Sequence, residues 1–81
     1  MYYVYILRSL IDEGYYIGQT ENITSRIGKH NTGQVQSTKH RCPLVLIKEE
    51  VYATRGEARK RENYLKKLKG GNEFKKLLKN N

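Results

Sequence analysis

The chain has 81 residues, 37% of them hydrophobic and 30% charged, which excludes a disordered chain and predicts one domain over residues 1–81 with a thin core. Its net charge of +8 favours a polyanion as partner, although a solubilising excess of lysine would give the same balance. A single cysteine excludes an intrachain disulfide, and no stretch approaches the roughly 18 apolar residues of a membrane span, so we expect a cytoplasmic protein without a leader or a membrane partner.

The first twenty residues predict a β-hairpin. Tyr2–Leu7 is apolar or aromatic on both alternating faces, which is typical of a central strand that is covered on both sides. The segment 9–14 contains the aspartate and glycine that reverse a chain. Tyr15–Gln19 then returns as the partner strand, so that two tyrosine-rich strands become neighbours.

A helix, a loop and a third strand follow. Asn22 can cap a helix that spans Ile23–Asn31, and Gly33 suits its exit. The segment Gln34–Arg41 is polar and basic, and we interpret it as an exposed loop. The continuous apolar run Leu44–Ile47 predicts the third strand, which leads onward to the second helix.

Two helices complete the chain. Thr54 and Glu57 form a capping box that predicts a helix over Arg55–Lys69, where two glycines stop it. A last short helix, Glu73–Lys79, is expected after Asn72 as its N-cap. The order β-β-α-β-α-α predicts an α/β protein of the α+β sandwich type, with a small three-stranded, mainly antiparallel sheet flanked by helices.

Polar side chains interrupt the apolar faces of the predicted helices. At about 100° per residue, His30 lies on the apolar side of the first helix, and Arg26 borders that side one turn earlier. On the second helix, Glu62 falls between Ala58 and Leu65, where a leucine would pack. An unpaired carboxylate in that position is costly to desolvate, so Glu62 requires a cation, either a basic side chain or a metal.

Each interruption has a structural explanation when it is considered alone. Glu62 can pair with a neighbouring cation, for which the candidates are Arg26, Arg59 and Lys66. His30 can serve as an ordinary helix residue near the last carbonyl groups of its helix. The cysteine and the two histidines supply at most three soft zinc ligands without paired spacing, so we expect no structural zinc.

The ordered set of motifs resembles the GIY-YIG nuclease family over nearly the whole chain. Tyr16-Ile17-Gly18 matches the second signature, and Tyr3-Val4-Tyr5 stands where the family has Gly-Ile-Tyr. Arg26 and His30 follow in the first helix, and Ala58–Glu62 in the second. The short length looks like that of the small stand-alone bacterial members, which are uncharacterised single-domain proteins.

The resemblance implies metal-assisted hydrolysis of phosphodiester bonds. Glu62 would hold a single Mg²⁺ or Mn²⁺, which suits one carboxylate because magnesium keeps several waters. Arg26 would bind the phosphate through its fixed fork of donors. Tyr5 and Tyr16 would aim their hydroxyl groups at the same phosphate. Either phenol or His30 would activate the water, and the sequence leaves this choice open.

Three further positions follow from the resemblance. Gly18 would bring backbone without a side chain beside the scissile phosphate, although a bulge at the end of the strand would also explain it. Gln19 stands where some relatives place a lysine near the reacting water, and an amide does not supply the charge of that lysine. Asn72 is the nearest candidate for an asparagine that binds phosphate or positions the helix.

Basic residues outside the motifs can follow a phosphate backbone or simply form a solvated surface. Those that we assign to nucleic-acid binding are Lys39, Arg41, Lys66 and Lys69. The resulting prediction is a metal-dependent endonuclease that acts on DNA with little intrinsic sequence specificity. Substrate shape or a protein partner would then supply the specificity. The alternatives are a non-catalytic nucleic-acid-binding module that retains the fold, and a domain that binds an acidic protein.

Overall fold

The computed structural model describes residues 1–79 and contains an antiparallel sheet flanked by three helices. The strands are β1 (Tyr2–Ser9), β2 (Tyr15–Thr20) and β3 (Leu44–Tyr52), and the helices are α1 (Ile23–Asn31), α2 (Arg55–Leu68) and α3 (Asn72–Lys79). This order confirms the predicted β-β-α-β-α-α arrangement and the α+β class. None of the helices in residues 1–79 is long and apolar enough to cross a membrane.

Strand β1 lies at the centre of the sheet, whose strand order is β2-β1-β3. Its run from Val4 to Leu7 is buried, which confirms the central position predicted from its apolar character on both faces. In the pairing with β2, Tyr5 is opposite Gly18 and Val4 is opposite Gln19. The pairing with β3 shifts by a bulge after Ile6.

The two faces of the sheet are covered by different helices. Because successive side chains of a strand point to opposite faces, β1 contributes to two cores. One core combines the sheet with α2 and α3, and its buried members are Val4, Ile6, Ile17, Ala58, Leu65 and Phe74. The other has Tyr5, Leu7 and Leu44 as buried members, with residues of α1 packed against them.

The ends of α1 and α2 follow the predicted capping chemistry. The Asn22 side chain accepts a hydrogen bond from the Ser25 amide at 3.0 Å, and Gly33 adopts a left-handed φ of +77° beyond the last turn of α1. At α2, the Thr54 hydroxyl accepts from the Glu57 amide at 3.2 Å and donates to the Glu57 carboxylate at 2.9 Å. Helix α2 ends one residue before the predicted boundary.

The start of α3 differs from the prediction. Asn72 is the first residue of the helix rather than its N-cap, because the Lys75 amide donates to the Gly71 carbonyl at 3.2 Å and so makes Gly71 the cap. Gly70 has a left-handed φ of +86°. The two glycines turn the chain without a capping side chain, which removes the structural role predicted for Asn72.

Candidate active site

Strands β1 and β2 and helix α1 bring four of the predicted site residues together. The Tyr5 hydroxyl lies 3.1 Å from Nε2 of His30 and accepts a hydrogen bond from Nε of Arg26 at 3.3 Å. The Tyr16 ring meets His30 edge-on, with 4.8 Å between ring centroids, and lies 6.3 Å from the Tyr5 ring. We call Tyr5, Tyr16, Arg26 and His30 the tyrosine cluster.

The cluster has a buried side and an accessible side. Tyr5 is 1% exposed and His30 is fully buried, whereas Tyr16 and Arg26 are only partly buried. The structure therefore places the Tyr5 hydroxyl inside the protein, between Arg26 and His30. Tyr16 and Arg26 are the members that a ligand reaches from solvent.

One assignment of protons gives every polar group of the cluster a partner. A guanidinium only donates, so Tyr5 accepts from Arg26, and in this assignment its own proton goes to Nε2 of His30. His30 then has its proton on Nδ1 and donates it to Oγ1 of Thr38 at 2.7 Å. The Thr38 hydroxyl donates in turn to the Val35 carbonyl at 3.5 Å. The network thus assigns His30 as the Nδ1-protonated tautomer.

Thr38 is the site residue that the sequence did not reveal. It lies in the segment predicted as an exposed loop, yet it is fully buried against His30. A compact turn holds it there, in which the Thr38 amide donates to Val35 and the Arg41 amide donates to Thr38. A threonine among polar residues gives no signal of burial, so only the contact with His30 identifies it.

The environment of the cluster sets its charges at neutral pH. Burial raises the pKa of the Tyr5 phenol, the Arg26 hydrogen bond opposes this, and the charges of Tyr16 and Glu62 add to the increase. Burial and the Arg26 charge lower the pKa of His30. The hydrogen bond to Tyr5 raises the pKa of Arg26. Arg26 is therefore charged and His30 neutral.

Glu62 lies on α2, which covers the face of the sheet opposite to α1, and it contacts edge strand β2. Its Oε1 accepts from Nε2 of Gln19 at 3.1 Å, and its Oε2 pairs with Nζ of Lys66 at 2.8 Å. Gln19 follows Gly18, which is opposite Tyr5. Of the cations considered for Glu62, Lys66 is the one that forms the pair.

Glu62 offers one carboxylate to a divalent metal. Within residues 1–79, no group of three or more histidine, cysteine, aspartate or glutamate residues could hold a metal. Glu62 is 15% exposed and its partner Lys66 is 52% exposed, and such i,i+4 pairs contribute only about 0.3–0.5 kcal/mol. The pair is therefore weak enough for a hydrated cation to compete with Lys66, and one carboxylate fits a divalent ion that keeps most of its waters.

Gly18 is buried in regular strand pairing directly opposite Tyr5. A Cβ at this position would lie 2.5 Å from the Tyr5 hydroxyl oxygen and 3.2 Å from Cε2 of Tyr16. The β1–β2 pairing passes Gly18 without a register shift, so the bulge considered for this position does not explain the glycine. The sheet has its bulge in the pairing of β1 with β3. The tyrosine cluster thus leaves no space for a side chain at position 18, which explains the glycine.

The residues predicted to bind nucleic acid differ in their availability. Arg41 donates to the Asp12 carboxylate at 3.0 Å and to the Tyr15 carbonyl at 3.3 Å, and Lys66 is paired with Glu62. Both cations are therefore engaged within the protein. The members of the predicted set that are exposed and lie outside these ion pairs are Lys39, Lys69 and Asn72.

Comparisons with known proteins agree with the motifs and their geometry. A family model described as the GIY-YIG catalytic domain matches residues 1–76. A UPF0213 protein of Staphylococcus haemolyticus is 39% identical over 66 residues, which cover 80% of this chain and 79% of the relative. Another, from Clostridium perfringens, is 44% identical over 69 residues, which cover 84% and 73% respectively. No solved structure matches. The chain therefore belongs to the GIY-YIG nuclease family.

Proposed function

We propose that this protein is a divalent-metal-dependent endonuclease that hydrolyses nucleic-acid phosphodiester bonds, with DNA as the expected substrate. The proposal rests above all on the contact of one buried phenol, Tyr5, with both Arg26 and His30. This contact holds an arginine at the accessible side of the cluster next to a second phenol, Tyr16. The net charge of +8 supports a polyanionic substrate.

Arg26 is the proposed phosphate-binding group. Its Nε donates to Tyr5 and a further side-chain hydrogen bond links it to Tyr16, which orients the guanidinium plane, and the other donors of the fork bind phosphate oxygens in this proposal. A guanidinium that is already oriented stabilises the charge that grows on the phosphate in the transition state. Tyr5 is thus a positioning residue for Arg26 in this proposal.

Tyr16 is the proposed group that contacts the attacking water. It is the accessible phenol of the cluster, whereas the Tyr5 hydroxyl is enclosed and burial raises its pKa. His30 is neutral at neutral pH, and its Nε2 accepts the Tyr5 proton. The buried pair of His30 and Tyr5 therefore holds the Arg26 guanidinium in one orientation. Tyr16 faces the substrate.

Glu62 is the proposed metal-binding residue. A Mg²⁺ or Mn²⁺ held by this carboxylate would supply Lewis-acid stabilisation of the negative charge that grows during hydrolysis. Gln19 orients the carboxylate by donating to Oε1, and Lys66 compensates its charge through Oε2. In this role Gln19 acts on the carboxylate of Glu62 rather than on the water.

A non-catalytic nucleic-acid-binding module is the second candidate. The pairing of Lys66 with Glu62 favours it, because the only carboxylate proposed for the metal already has a cation. In either case the phosphate contacts position the substrate without reading its sequence. Specificity then comes from the shape of the substrate or from a partner protein.

Cleavage assays decide between the two candidates. Labelled single-stranded, duplex and branched DNA and RNA are incubated with the protein in Mg²⁺, in Mn²⁺ or in EDTA. We expect metal-dependent cutting that Glu62→Ala abolishes and that Arg26→Lys reduces by about 10²- to 10³-fold. Glu73→Ala, which removes the same charge from an exposed position on α3, is the matched control and should cut normally. Salt-sensitive binding without cutting would establish the binding module instead.

A further inference from the structure

The two flanks of α2 differ in how their arginines are paired. On the β3 flank, Arg61 binds Glu50 through two parallel contacts, Nε to Oε1 at 2.8 Å and Nη2 to Oε2 at 3.1 Å. This bidentate ion pair neutralises the cation inside the protein. On the β2 flank, Glu62 is bound to Gln19 of the strand.

A row of charged residues follows the β2 flank of α2. Arg55, Arg59, Glu62 and Lys66 recur at helical positions i, i+4, i+7 and i+11, which share one side of the helix. Within residues 1–79, neither Arg55 nor Arg59 forms an ion pair with a carboxylate. The Arg55 guanidinium instead lies over the Tyr2 ring, 5.3 Å from its centroid.

These two arginines line a groove of about 320 Å³ between α2 and the end of β2. The residues around it are Tyr2, Gln19, Thr20, Glu21, Arg55 and Arg59. Arg55 is the first residue of α2, where a cation opposes the helix dipole and disfavours the helix. The Tyr2 ring contacts Arg55 without neutralising its charge, and neither arginine is paired with a carboxylate within residues 1–79, so both cations are available to an external anion.

We propose that this groove binds the phosphates that adjoin the cleaved phosphate on the same nucleic-acid strand. The inference rests on the proposed function, because Glu62 marks the position of the cleaved phosphate. Along the helix axis, Arg59 lies about 4.5 Å from Glu62, and Arg55 about 6 Å further. These intervals are of the same order as those between successive phosphates. The nucleic-acid strand on one side of the cleaved phosphate therefore follows the β2 flank of α2.

Glu21 lies in the same groove, and its removal should change the affinity for nucleic acid in the direction opposite to removal of the arginines. Its carboxylate lies among the lining residues and repels phosphate. Glu21→Gln should therefore tighten binding, whereas loss of the arginines should weaken it. A groove that bound a cation instead would show the reverse pair of effects.

Binding of a fluorescent DNA oligonucleotide in EDTA, followed by anisotropy over a series of salt concentrations, measures the phosphate contacts without cleavage. For Arg55→Gln/Arg59→Gln we expect the slope of log affinity against log salt to become shallower by about 1.4 for single strands and about 1.8 for duplex. Arg59→Gln alone, which leaves the Arg55 contact with Tyr2 intact, should lose about half as much.

The matched control is Lys60→Gln/Lys67→Gln. It removes the same charge from exposed positions on the other side of α2. We expect the control to keep the wild-type slope, and equal losses in the two double variants would overturn the proposal. Circular dichroism checks that each variant is folded.

The outcomes separate this inference from the proposed function. Cleavage by the wild type together with an unchanged slope in the arginine variants would refute the groove and leave the nuclease intact. Salt-dependent binding lost only in the arginine variants, without any cleavage, would support phosphate binding in the groove but refute the nuclease and with it the place of these phosphates beside a cut. A wild type that binds no DNA at low salt would refute both.

Discussion

The backbone of Gly18 faces Tyr5 so closely that a Cβ at position 18 would lie 2.5 Å from the Tyr5 hydroxyl oxygen. The two residues are direct partners in the β1–β2 pairing, and both are buried. Because the Tyr5 hydroxyl also holds Arg26 and His30, it cannot move away without breaking the cluster. This contact physically couples the two tyrosine-rich signatures of the sequence.

Gly18→Ala should destabilise the fold by about 1–3 kcal/mol, because the added methyl group overpacks a rigid site. Chemical denaturation measures the change. Gly28→Ala is the matched control, because nothing lies within 4 Å of its Cβ and alanine is better than glycine inside a helix. The control should stabilise by up to about 1 kcal/mol. A Gly18→Ala protein as stable as the wild type would contradict the tight packing.

Thr38→Val should destabilise the fold by about 1–3 kcal/mol, since it leaves the Nδ1–H group of His30 buried without an acceptor. Thr38→Ser keeps the oxygen and should cost less. Denaturation at about pH 7.5 compares the two variants, and nitrogen-15 NMR of the wild-type imidazole should show the Nδ1-protonated tautomer. A spectrum of the Nε2-protonated form would contradict the direction of the network.

The free energy of unfolding should decrease as the pH falls below about 6.5. His30 has a lowered pKa in the folded state, through burial and the Arg26 charge, so the unfolded chain binds its proton first. This contribution is complete above the unfolded pKa and is lost as the pH falls toward the folded pKa.

Variants at the two histidines isolate this effect. His30→Gln should remove the decrease in stability between about pH 6.5 and 5, whereas the exposed His40→Gln should keep it. A backbone hydrogen bond lowers the pKa of Asp12, and hydrogen bonds outweigh the opposing effect of burial on the pKa of Glu50. Both carboxylates therefore lose their contributions to the free energy of unfolding only below about pH 4.3. An unchanged pH profile in His30→Gln would show that another group is responsible.

Lys66→Gln should tighten the binding of Mn²⁺ about twofold, because the lysine competes with the metal for Oε2 of Glu62 in a weak i,i+4 pair. Isothermal titration calorimetry measures the affinity. Stability should change by less than about 0.5 kcal/mol. Lys67→Gln, an exposed neighbour, should leave the affinity unchanged, and Glu62→Gln should abolish binding. Weaker binding in Lys66→Gln would mean that the lysine supports the metal site.

The helices and strands were predictable where local chemistry sets them. The Asn22 and Thr54 caps have the expected partners, and the helices that they start begin where predicted. The prediction of a central first strand was also correct, because only such a strand is apolar on both faces. The N-cap role predicted for Asn72 was wrong, since two adjacent glycines can turn the chain by their own flexibility and no local signal distinguishes the two ways of starting α3.

Helical periodicity alone placed His30 and Arg26 on the inner side of α1 and Glu62 beside the core stripe of α2, because these positions depend only on residue spacing. Tertiary packing decided which partner each polar group meets. Glu62 pairs with Lys66 and Gln19 rather than with an arginine, and Thr38 turns inward to His30. The Gln19–Glu62 contact spans 43 residues, so its geometry exists only once α2 has packed on the sheet. The contact between Thr38 and His30 likewise depends on how the turn after α1 folds back onto that helix.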